Sequence, residues 1–112
     1  MQKILWQIFV PTHTNDHIKI ELEYHKEWDR FVEKITKGLT IDTPVIGIWR
    51  DDSDNKIYEE RMIPVEISCT REQMETIVDF TAMHYQQKAI TFYKISDEFH
   101  IHLYDLNFKR II

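Results

Sequence analysis

Residues suited to chemistry cluster in three parts of the chain. The first is central: Trp49-Arg50-Asp51 and then, beyond a polar turn, Glu59-Glu60-Arg61. An arginine there can grip an anion through a forked pair of N–H donors, a glutamate can act as a base, and an indole supplies a flat apolar wall. Trp49, Arg50, Glu60 and Arg61 are therefore candidate ligand-binding residues. The plainer alternative is a ladder of opposed charges on adjacent strands, at roughly 0.2–1 kcal/mol per pair.

The second place is His100-Ile101-His102. Histidines two apart on a strand project from one face, and neutral imidazoles are good metal ligands. A metal centre needs at least a third ligand, which His84, His13, Asp97 or Asp105 would have to supply. An edge strand with polar residues opposite Phe99, Ile101 and Leu103 explains the same alternation, so His100 and His102 are weak metal candidates. The third place, His13 to His17 with Asp16 between, suits a metal but suits a polar turn better. A phosphodiesterase pattern of paired His-x-Thr motifs fails, because His100-Ile101-His102 lacks the hydroxyl. Cys69 stands just before a helix start, where a thiol can become reactive, although a buried small residue is the commoner case.

Composition narrows the classes further. The net charge is −5 with Lys and Arg scattered, which disfavours nucleic acid and anionic membrane surfaces as partners. One cysteine excludes an internal disulfide and a cysteine zinc cage. Two glycines, Gly38 and Gly47, exclude a glycine-rich phosphate loop. Nothing calls for a cofactor. The start, Met1-Gln2-Lys3, runs straight into a strand-like pattern without an export signal or an apolar span of about 20 residues. A cytoplasmic protein is expected.

These residues need a frame, and periodicity describes one. With 112 residues, 43% hydrophobic and 29% charged, the chain suits a single domain over 1–112, the last stretch from about 106 forming a tail. Residues 3–11 alternate as a strand ending at Pro11, and 18–22 suggest a short second strand or an extended arm. Tyr24, Trp28, Phe31, Val32 and Ile35 have helical spacing, with Gly38 as a natural stop. Residues 40–50 and 56–69 make a hairpin about Asp51-Asp52-Ser53-Asp54-Asn55. Pro64 lies within its second arm, so a bulge or a missing partner is expected there. Thr70 and Gln73 form a capping box ahead of a helix to about Gln87. Residues 89–95 and 98–105 read as two further strands.

The middle of the chain resembles a small bacterial family classified only as a domain of unknown function. The resemblance lies in Gly38-Leu39-Thr40, Gly47-Ile48-Trp49-Arg50-Asp51, Glu60-Arg61, and Tyr85 with Gln87-Lys88-Ala89-Ile90, and spans about 3–92. It differs in the turn, where Asp54-Asn55 replaces a shorter glycine-containing one, and in lacking the export signal common in that family. The resemblance implies a fold and a polar-aromatic cluster, which adds Gln87 to the candidate ligand-binding residues, and it implies no activity.

The element order predicts an α+β, ferredoxin-like split βαβ fold, with an antiparallel sheet, two helices on one face and an extra C-terminal strand. Leu5, Phe9, Ile46, Ile48, Tyr93 and Tyr104 would leave the other face apolar, which favours self-association. Two functional readings follow. One is a non-catalytic binding or interaction module that forms a homo-oligomer. The other is a small-molecule enzyme with a pocket around Trp49.

Overall fold

A computed structural model describes residues 2–112; Met1 of the Met1-Gln2-Lys3 start lies outside the described residues. The elements are β1 (Ile4–Pro11), α1 (Leu22–Thr36), β2 (Thr40–Ile41), β3 (Val45–Arg50), β4 (Ile57–Cys69), α2 (Arg71–Tyr85) and β5 (Phe92–Ser96). The sheet is antiparallel throughout and runs β2-β4-β1-β5, with β3 also paired to β4 further along that strand. This is the expected ferredoxin-like α+β arrangement.

Alternation in β1 and β4 creates the core. Trp6, Ile8 and Val10 oppose Ile67, Val65 and Ile63, and all six side chains turn to the helices. Trp28 and Val32 from α1 and Met74, Ile77 and Tyr85 from α2 close over them. Phe31 stacks on Phe80 between the helices, with ring centroids 3.8 Å apart. The Arg71 guanidinium lies over the Trp6 ring at 5.2 Å. The capping box at Thr70 is present in both directions: Gln73 N–H donates to the Thr70 hydroxyl, and Thr70 N–H donates to the Gln73 side chain.

Pro64 sits where the ladder can spare a donor. Its β1 side is regular, opposite Phe9, while its other side falls between the end of β2 and the start of β3. Its carbonyl still accepts from Asp42 N–H at 2.9 Å. The missing partner explains how a proline is accommodated inside a 13-residue strand.

Four expectations are corrected. The arm over 18–22 is only a bridge between His13 and Lys19, because Leu22 already begins α1. The left-handed residue that ends α1 is Lys37, with φ of 73°, rather than Gly38. The arm over 40–50 is split into β2 and β3 by Asp42-Thr43-Pro44. Beyond β5, the region expected to give a last strand makes no ladder with the sheet. It forms instead a narrow hairpin in which Tyr104 bridges Arg110 and Leu103 exchanges hydrogen bonds with Ile111 and Ile112.

The outline is long, 59 × 29 × 23 Å, with a radius of gyration of 16.5 Å. A compact domain of this length has about 13 Å. The outer half of β4 contributes to this length. β1 ends opposite Met62, so residues 57–61 pair with β3 alone and project as a two-stranded arm.

Candidate functional site

At the base of that arm lies an open cavity of about 440 Å³. Its walls come from Pro11 at the end of β1, from Thr12 to Asn15 and His17 of the β1–α1 loop, from Glu59, Glu60 and Arg61 of β4, and from Gln87 after α2. Each wall has a local cause. β1 hands its ladder on to the loop, as Thr12 N–H donates to the Arg61 carbonyl at 3.3 Å. The loop then folds back on itself. Thr14 N–H donates to the Ile18 carbonyl at 2.8 Å, the Thr14 hydroxyl accepts from Ile18 N–H at 3.1 Å, and His17 turns the chain with φ of 63°.

Asn15 ties the loop to α2. Its amide donates to the Gln86 carbonyl at 3.0 Å, and its own carbonyl accepts from Gln87 Nε2 at 3.2 Å. Gln86 makes this possible by taking the left-handed conformation that ends α2. Gln87 is thus a structural clamp as well as part of the wall.

Three of the five candidate residues, Glu60, Arg61 and Gln87, meet at this cavity. Trp49 and Arg50 do not. Trp49 stacks on Tyr58 across the arm, centroids 4.9 Å apart, and Arg50 Nη1 donates to Asn55 at 2.9 Å in the hairpin turn. Register explains the separation. Trp49 opposes Tyr58 and Gly47 opposes Glu60, so these side chains share the sheet face away from the helices. Arg61 and Glu59, one residue out of step with them, share the helix side with Ile46 and Ile48. Ile46 and Ile48 therefore leave the open face that was expected to hold them, whereas Phe9 and Tyr93 do meet there with centroids 6.1 Å apart. The same register undoes the charge ladder: Glu59, Glu60 and Arg61 oppose Ile48, Gly47 and Ile46, and no ion pair joins them among the described residues.

Glu59, His13, Thr14 and His17 were not among the site candidates as a group. The polar run from Thr12 to His17 was visible, but its approach to β4 depends on a pairing with residues some fifty positions away.

A second cavity of about 470 Å³ opens on the other side of the loop, against Ile18, Ile20, Tyr24, His84 and Tyr85. The Tyr24 and His84 rings stack at 4.0 Å, and His84 Nε2 lies 2.8 Å from the Tyr24 carbonyl oxygen. His25 Nδ1 and the Tyr85 hydroxyl are hydrogen-bonded at 2.7 Å. Burial, and secondly the nearby His84, hold the His25 imidazole below its usual pKa. Burial likewise pushes the Tyr85 hydroxyl up, so it stays protonated.

His100 and His102 lie in the C-terminal segment with ring centroids 6.3 Å apart, His100 beside Glu98 at 3.6 Å. Among the described residues, no group of three His, Cys, Asp or Glu side chains is placed to hold a metal. Cys69 is fully buried in the core, and burial pushes its thiol up to about 11, which favours the plain reading of that residue. No helix is long and apolar enough to cross a membrane among the described residues.

No protein-family model matches the chain, and no curated protein does. Solved structures share the fold. CutA1 from Oryza sativa superposes with a TM-score of 0.66 at 10% identity, over 90% of this chain and 84% of that one. The periplasmic divalent cation tolerance protein CutA from Archaeoglobus fulgidus gives 0.63 at 15% identity, over 88% and 87%. A phage SAM lyase in complex with S-methyl-5'-thioadenosine gives 0.61 at 12% identity, over 85% and 90%. At these identities the likeness is one of fold: the chain has the ferredoxin-like architecture of the CutA1 proteins and of that lyase.

Proposed function

We propose that this protein is a non-catalytic binding module that assembles with copies of itself through the β3–β4 arm. The carrying observation is the arm's apolar exposure. Ile46, Ile48 and Ile57 lie on one of its faces and Val45, Trp49 and Tyr58 on the other, all exposed. A two-stranded ribbon is marginal in water by itself and needs cover. The C-terminal segment offers a second apolar surface, with Phe99, Ile101, Leu103, Leu106, Phe108, Ile111 and Ile112 exposed. Two unlike apolar surfaces on one chain suit a head-to-tail contact that closes into a ring of copies. Light scattering after size exclusion is the test. An oligomer at micromolar concentration is expected; a clean monomer at high micromolar concentration overturns the reading.

A second reading concerns the cavity at Arg61. Glu60 and Arg61 are not paired flat on the surface; they border a cavity of the size that small ligands use. In this reading the module holds a small molecule there, with Arg61 and Gln87 among the contacts. The neighbouring lyase was solved with a nucleoside thioether, so S-methyl-5'-thioadenosine is a natural first probe. Binding is followed by amide chemical shifts of residues 12–17, 59–61 and 87. Silence at those amides toward this probe and toward a general fragment set removes the reading. The acidic net charge and the lone buried thiol suit a cytoplasmic setting without nucleic-acid or membrane partners.

A further inference from the structure

The cavity at Arg61 presents both signs of charge without neutralising them. Arg61 and Glu59 leave the same face of β4 two residues apart, and Glu60 borders the opening from the other face. None of the three takes part in an ion pair among the described residues. Elsewhere on the surface such pairs do form, as between Lys94 and Asp97 at 3.0 Å. The loop opposite is already committed internally. His13 Nδ1 bonds the Thr12 hydroxyl at 2.7 Å, the Thr14 hydroxyl accepts from the backbone of Asp16 and Ile18, and the Gln87 amide is held by Asn15 and by the Tyr85 carbonyl. The charged groups of β4, with the His17 imidazole, are therefore those left to meet a ligand.

We propose that this cavity takes a small zwitterion of the α-amino-acid type, with its carboxylate on Arg61 and its ammonium on Glu59. The proposal rests on the ligand-pocket reading above and deepens it. Like charges placed together select against a ligand as effectively as opposite charges select for one. A simple anion would meet two carboxylates, and a bare metal cation would meet the guanidinium at a place with no group of three metal-ligating side chains among the described residues. A molecule carrying both charges a few bonds apart satisfies both walls. About 440 Å³ leaves room for a side chain beyond them.

The experiment compares three charge forms on one skeleton by amide chemical-shift titration of the whole chain. The probes are L-leucine, N-acetyl-L-leucine and L-leucinamide, with the same series on L-glutamine. The zwitterions are expected to shift residues 12–17, 59–61 and 87, and to bind roughly tenfold or more tighter than either single-charge form. Arg61→Gln should remove the preference for the free carboxylate, and Glu59→Gln the preference for the free ammonium. Both sites are on the exposed arm, so unchanged shifts in the core will show that each variant is folded. Equal or tighter binding of the single-charge forms overturns the proposal. So does binding of S-methyl-5'-thioadenosine at these amides with no response to either amino acid, an outcome that leaves the pocket reading standing. Silence toward every probe removes both.

Discussion

The Trp28 indole N–H donates to the Thr81 hydroxyl at 2.8 Å, and that hydroxyl lies 2.6 Å from the Ile77 carbonyl. Both side chains are buried, so this polar bond joins α1 to α2 inside the core. Thr81→Val leaves the indole donor without a partner and should cost about 1–3 kcal/mol in urea unfolding. Trp28→Phe removes the donor as well, so the double variant should fall short of the sum by about 0.5–1.5 kcal/mol. A coupling near zero would show that the bond contributes nothing.

His25 makes stability depend on pH. Burial, then His84, depress its folded pKa below the ordinary 6.5. The fold therefore favours the neutral imidazole. Its contribution is fully present above the unfolded value near 6.5 and is lost as pH falls through the lower, folded value. Urea midpoints should drop between pH 7.5 and pH 5, and His25→Asn should flatten that drop. An equal drop in the variant contradicts the assignment.

Cys69 should be inert in the native protein. Its sulfur is enclosed by the core near Met74, and burial pushes its thiol up to about 11. Alkylation by iodoacetamide at pH 8 should proceed at least about a hundredfold more slowly than in the unfolded chain, because reaction waits for opening. Rapid labelling under native conditions would contradict the placement.

The arm can be tested apart from the core. Ile46→Lys with Ile48→Lys places charges on exposed positions that touch β4 only beyond the end of β1. The self-association proposed above should weaken at least about tenfold by sedimentation. The thermal midpoint of the isolated subunit should move little. An unchanged assembly state would direct attention to the C-terminal segment instead.

The sequence by itself determined what is local. The capping box at Thr70 and Gln73 spans three residues, the alternation of 4–10 and 63–69 is written in single-strand periodicity, and the helical stripe of Trp28 and Val32 follows from 3.6 residues per turn. Pro64 called for a bulge or a missing partner, and the pairing shows the missing partner. What depends on a partner was decided only in three dimensions. The 98–105 stretch alternates like a strand, yet a strand is a pairing, and the sheet offers that segment no ladder. Trp49 and Arg61 sit in facing arms, but Trp49 pairs with Tyr58, three positions from Arg61, and an odd offset in register places them on opposite faces. The cavity itself depends on Asn15 reaching Gln86 and Gln87, a contact across about seventy residues that no local pattern encodes. Side-chain period belongs to one segment, whereas register and closure belong to two.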